Sequence, residues 1–152
     1  MKKYIFPMSA LFISLFSPIE TLAKTVIVSS PDNKITIHVN DENQPNYQVT
    51  FKGEQVITPS KLGMLFKNSH GFSEGFKIDS VTINQVNSTW QLPWGERKNV
   101  IDNHNELLII FSTNRERANQ YKVRFRAFND GIGFRYEVPK QSGLNQVEIT
   151  DE

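Results

Sequence analysis

Four carboxylates and two tryptophans are the residues of this 152-residue chain best equipped for chemistry: Glu96, Glu106, Asp130, Glu137, Trp90 and Trp94. Two facing carboxyl groups can share general acid and base work if one is held protonated and the other ionised. Each of these carboxylates also has a structural use. Asp130 sits in an Asn-Asp-Gly turn signal, where its side chain favours the bend. Glu137 falls opposite an arginine in the pairing set out below, and Glu106 precedes an apolar run where an arginine partner is expected. The sequence therefore predicts no catalytic pair. Trp90, Trp94 and Glu96 fall within one short segment that also holds Pro93 and Gly95. An indole offers a flat apolar face and one directional donor, and a carboxylate beside it adds an acceptor; together they suit contact with a sugar ring. The alternative is that both rings close one end of a core, where large amphipathic rings are common. The core role weighs more for Trp90, whereas for Trp94 the Pro-Trp-Gly setting makes the two roles nearly even.

The element that must organise these groups is Arg124 to Glu137, RFRAFNDGIGFRYE. Tyr121, Val123, Phe125 and Ala127 alternate with Lys122, Arg124 and Arg126. Beyond the turn, Ile132, Phe134, Tyr136 and Val138 alternate with Gly133, Arg135 and Glu137. Period-2 patterning on both sides of Asp-Gly is a strong hairpin signal. With Asp130-Gly131 as a two-residue loop, Phe125 opposes Tyr136, Ala127 opposes Phe134, Arg124 opposes Glu137 and Arg126 opposes Arg135. The last pair invites a shared carboxylate, for which Glu106 is the expected candidate. The hairpin is expected at the centre of its sheet.

Residues 1–23 read as a secretory leader. Lys2 and Lys3 precede the mostly apolar stretch Tyr4 to Ile19, and Thr21-Leu22-Ala23 sets small residues ahead of a cut after Ala23. Polar residues follow at once, and Pro7 and Pro18 interrupt a run already short for a membrane span. Losing Lys2, Lys3 and Glu20 from 17 basic and 16 acidic residues leaves 15 of each. A neutral mature chain gives no electrostatic case for nucleic acid or an anionic membrane. With no cysteine, the core must hold without disulfides in an oxidising compartment. The expected location is outside the cytoplasm, in a bacterial periplasm.

The rest of the chain reads as short strands: 25–30, 34–39, 47–52, 55–57, 64–66, 76–86, 104–112 and one starting near Gln146. Ser88 to Glu96 differs in character from the strands, and Trp90 to Glu96 reads as a loop. The continuous run Leu107 to Phe111 suggests burial on both faces. Arg115-Glu116-Arg117 reads as a charged turn. About ten strands with turns every 8–12 residues and no helical period predict an all-β, antiparallel β-sandwich.

Several blocks occur in a telling order: Ser30-Pro31-Asp32, Pro59-Ser60-x-Leu62-Gly63, Trp90-x-x-Pro93-Trp94-Gly95-Glu96, Asn105-Glu106-Leu107 and the Arg124–Glu137 hairpin. Together they resemble the N-terminal domain of glycoside hydrolase family 97 across nearly all of residues 24–152. The resemblance implies a supersandwich of the galactose-mutarotase type. In full-length members, α-glucosidases and α-galactosidases of polysaccharide-degrading bacteria, it implies a following catalytic (β/α)8 barrel and a small β-domain. It also places the catalytic carboxylates, and most ligands of an active-site calcium, on that barrel. Nothing in this sequence matches the barrel, so no catalytic residue, metal ligand or cofactor carries over. The expectation is a partial, non-catalytic domain whose partners are the barrel of the same enzyme and an α-linked oligosaccharide. Trp94, Glu96 and Trp90 are then the carbohydrate-contact candidates; Glu106, Arg124, Arg126, Arg135 and Glu137 are the docking or ion-pair candidates. A free-standing carbohydrate-binding sandwich is the second expectation.

Overall fold

The computed structural model describes residues 23–67, 71–96, 98–113, 119–142, 144 and 146–152. All of the expected leader except Ala23, and the charged turn Arg115-Glu116-Arg117, lie outside the described residues. Four consecutive strands form the first sheet: β1 (Thr25–Ser29), β2 (Ile35–Asn40), β3 (Asn46–Phe51) and β4 (Glu54–Lys61). Four more form the second: β6 (Lys77–Gln91), β7 (Asn99–Ser112), β8 (Gln120–Ala127) and β9 (Ile132–Glu137). Between them β5 (Leu65–Phe66) pairs with β10 (Ile149–Asp151). All these pairings are antiparallel.

The sheets face each other, with β1 across β7 and β2 across β8. Period-2 alternation drives this packing: Ile35, Ile37 and Val39 from one sheet meet Leu107, Ile109, Phe111, Tyr121, Val123 and Phe125 from the other, all buried in one cluster. Aromatic rings complete it. Tyr121 is stacked between Phe72 and Phe111 at 5.1 and 5.0 Å, and Tyr47 of β3 contacts Phe125 and Phe134. Cover runs out toward β6, where Val81 and Ile83 are 38% and 53% exposed.

Turn chemistry closes the hairpins. Lys52 and Gly53 both have positive φ, 52° and 86°, which suits a two-residue loop whose twist matches its strands. Gly63 is required for a different reason: a Cβ there would lie 2.0 Å from the Phe72 carbonyl oxygen, beside the Met64–Phe72 bridge. Two contacts tie the sheets at their margins. The Asp32 N–H donates to Asn129 Oδ1, and the Gly63 N–H donates to the Tyr136 hydroxyl.

Four expectations need correcting. First, the β8–β9 hairpin closes one step earlier: Phe128 N–H donates to Gly131 O, Ala127 pairs with Ile132, Phe125 with Phe134, Arg124 with Arg135 and Arg126 with Gly133. Asn129-Asp130 occupies the tip, where Asn129 is held by the other sheet. The shift is two residues, so every side chain keeps its face. Second, this hairpin is not central, because β9 is an edge strand and β7–β8 are the inner pair. Third, Trp90 and Gln91 are not loop; β6 and β7 run on together as a ribbon whose ladder reaches Gln91–Asn99. Fourth, Leu108 and Ile110 are only half-buried, opposite Arg124 and Lys122 on the outer face.

Candidate functional site

Ladder registers place six of the eight candidate residues. Glu106 opposes Arg126, Leu108 opposes Arg124, and Arg124 opposes Arg135, so Glu106, Arg124, Arg126, Arg135 and Glu137 share the outer face of the β6–β9 sheet. Trp90 opposes Val100, six residues along β7 from Glu106, and belongs to the same face by parity. Trp94 and Glu96 follow β6 in the turn at the ribbon tip, both exposed. Six residues of strand span on the order of 20 Å. The tryptophan group and the arginine group thus lie on one face without forming one site.

The five charged residues form a chain of ion pairs. Arg126 Nε donates to Glu106 Oε2 at 3.0 Å, and Arg124 Nη1 donates to Glu106 Oε1 at 2.5 Å. Arg124 Nε donates to Glu137 Oε1 at 2.7 Å, and Arg135 Nε reaches the same oxygen at 3.0 Å. Arg124 is the hub. The expected Arg126–Arg135 pair sharing Glu106 is not formed: the two-residue shift moves Arg135 opposite Arg124, and Glu106 takes Arg124 with Arg126 instead.

Burial alone would raise the pKa of Glu106, whose side chain is 9% exposed, but hydrogen bonds from Arg124 and Arg126 outweigh it and hold the carboxyl below its ordinary value. The Arg124 hydrogen bond, aided by Arg135 against some burial, lowers Glu137 to about 2. The same contact with Glu137, reinforced by Glu106, raises Arg124. A general acid needs its pKa pushed the other way. Glu106 and Glu137 are fixed anions, suited to holding arginines in place.

The core role set out for the two tryptophans does not hold. Trp90 is 47% exposed and Trp94 82% exposed, and neither joins the core cluster. Clefts of about 600 and 420 Å³ open elsewhere, the first along Ser60–Leu65, Ser73, Glu74 and the Asp151-Glu152 end, the second between Phe51, Val56, Ile57 and the Asn129–Ile132 turn. None of the eight candidates lines either cleft. One polar pair escaped the sequence reading: buried His104 places Nδ1 2.5 Å from Asp102 Oδ1 and its ring 4.8 Å from Phe128. Its signal is Asp-x-His on one face of a strand. Among the described residues no group of three His, Asp or Glu side chains could hold a metal ion.

A family model described as the N-terminal region of glycosyl hydrolase 97 matches residues 28–152. The chain belongs to that family. A retaining α-galactosidase of Bacteroides thetaiotaomicron is 26% identical over 113 residues, which are 74% of this chain and 16% of that protein. A family 97 enzyme from Pseudoalteromonas sp. strain K8, solved in complex with acarbose, superposes with a TM-score of 0.79 at 48% identity, covering 82% of this chain and 19% of that one. A variant of that enzyme solved with panose gives the same figures. A β-arabinopyranosidase superposes at 0.73 with 26% identity, over 83% of this chain and 20% of its own. This family 97 N-terminal domain therefore spans about a fifth of the length of the proteins it matches.

Proposed function

We propose that this chain serves as the non-catalytic N-terminal sandwich of a secreted α-glycosidase, supporting a catalytic barrel that acts on α-linked oligosaccharides. The observation that carries this reading is the family match over residues 28–152 together with the likeness to enzymes about five times longer, one of them solved with panose and acarbose. The ion-pair chain supports it. Two arginines, Arg126 and Arg135, stand at the exposed ends of a rigid network on one sheet face, with guanidinium donors left over for a neighbouring surface. Such a face suits docking, and it offers no acid for bond cleavage. The calcium of full-length members belongs, on this reading, to the barrel. A bacterial periplasm follows from the leader pattern.

Incubating the chain with p-nitrophenyl α-glucoside and α-galactoside tests the reading. No release is expected, and turnover by this chain alone would overturn it. Reading the coding DNA beside the gene is the second arm: a barrel sequence is expected there, and its absence would remove the enzyme from the locus.

The exposed Trp94 at the ribbon tip favours a second reading, a free-standing carbohydrate-binding sandwich. Calorimetry with panose and maltose distinguishes them. Millimolar binding lost in Trp94→Ala supports the module; no heat at millimolar sugar sinks it.

A further inference from the structure

Asp41 is a buried carboxylate without a side-chain cation. It is 2% exposed, and among the described residues no lysine, arginine or histidine side chain lies within ion-pair distance of it. Its partners are backbone nitrogens: Lys24 N donates to Oδ1 at 2.7 Å and Ile78 N to Oδ2 at 2.8 Å. The two nearby ammonium groups are spent on carbonyls, Lys77 Nζ on Asp41 O at 2.7 Å and Lys24 Nζ on Ile78 O at 2.9 Å. A buried charge is costly unless it is paired.

We propose that removal of the leader supplies the missing cation, and that the new amino terminus of Lys24 forms a buried ion pair with Asp41. This inference rests on the secretion reading above, which puts the cut between Ala23 and Lys24. Hydrolysis by a leader peptidase adds one water across that bond. The Ala23 carbonyl leaves with the leader as a carboxylate, and the Lys24 nitrogen becomes an α-amine that takes up a proton. An α-amine titrates near 7.7–8.0, so at neutral pH it is largely an ammonium. The donor already 2.7 Å from Oδ1 thereby changes from a neutral amide to a charged group. Asp41 also accepts from the first residue of the β6 core face, at Ile78, while its own N–H donates to Lys24 O at 3.2 Å. The processed terminus would thus be clamped between the end of β2 and the start of β6. Processing and folding become linked at one carboxylate.

The test begins with the mass of the chain exported from a bacterial host, expected to start at Lys24. Urea unfolding then compares it with the same chain retaining Thr21-Leu22-Ala23. The Lys24 terminus should lower the unfolding equilibrium constant about tenfold. Asp41→Asn in both chains should erase the difference. A different mature terminus would overturn the cut and the pair together. A Lys24 terminus with equal stabilities would overturn the pair alone, leaving secretion intact. A difference that survives Asp41→Asn would also overturn it. Should the asparagine variants not fold, the first comparison decides by itself.

Discussion

Arg124 holds both glutamates of the outer face, which makes the network sensitive to any change at its anions. Glu106→Gln keeps the shape but removes the charge that two arginines share, and a loss of about 1–3 kcal/mol in urea unfolding is expected. The partial exposure of Arg124 and Arg126 keeps it at the lower end. The pH dependence has a definite sign. Glu137 is depressed to about 2 in the folded chain against an ordinary 4.5, so its contribution is complete above about pH 4.5 and is lost as pH falls toward 2. Stability measured across that window should decline, and Glu137→Gln should flatten part of the slope. Tyr121 presents the opposite case. Its hydroxyl is buried with no hydrogen-bond partner among the described residues, and burial pushes its pKa up. Tyr121→Phe keeps the stacked ring and drops the unsatisfied group, so stability should hold or rise by up to about 1 kcal/mol, and a loss beyond 1 kcal/mol would show that the hydroxyl has a partner. The membership of the charged cluster was legible in the sequence because alternation alone puts these side chains on one face. Who pairs with whom was not, since that depends on where the turn closes. Asn129 is held by Asp32, ninety-seven residues away in the chain, a contact no local rule contains.

At the scale of elements, β6 is the anomaly. Leu92 N–H donates to Lys98 O, and the register is unbroken from Val81 to Gln91. Alternate residues must then turn their N–H and C=O groups away from β7: Val81, Ile83, Gln85, Asn87, Thr89 and Gln91. No charged residue or proline falls between Ser80 and Gln91. Edge strands usually carry such features to deter pairing with other chains. The chain is expected to associate at tens of micromolar, and Ile83→Lys, which sets a charge on the exposed edge, should return it to monomer in sedimentation experiments. An unaltered oligomer in that variant would place the contact elsewhere. The sequence reading ended this strand at Val86 and made Trp90 to Glu96 a loop because Trp, Pro and Gly cluster there. Pro93 and Gly95 do lie in the turn; Trp90 does not, because a paired neighbour in β7 extends the strand past any local signal. Gly63 gives an element-scale check with a steric cause. Gly63→Ala pushes a Cβ into the Phe72 carbonyl, and a loss of at least about 2 kcal/mol is expected.

For the whole molecule, the sandwich class was legible from strand count and period, and the family from ordered blocks of turn, tryptophan and hairpin residues. What local patterning cannot convey is how far one sheet covers the other. The alternation that puts Val81 and Ile83 inward gives no hint that the opposing sheet stops short of them. Each sheet is assembled from strands consecutive in the chain, β1 to β4 and then β6 to β9. Every ladder within a sheet is therefore closed by a connection between neighbours, and chain closure over short loops carries a small entropic cost. The long-range pairings are confined to β5 with β10 and to the facing of the two layers. Order of assembly follows from this. A chain emerging from its amino end during synthesis delivers residues 25–61 as a self-contained meander before β6 appears. Its apolar face must then wait for the second meander, and the wait, more than the formation of either sheet, sets how quickly the domain becomes safe from collision with its neighbours.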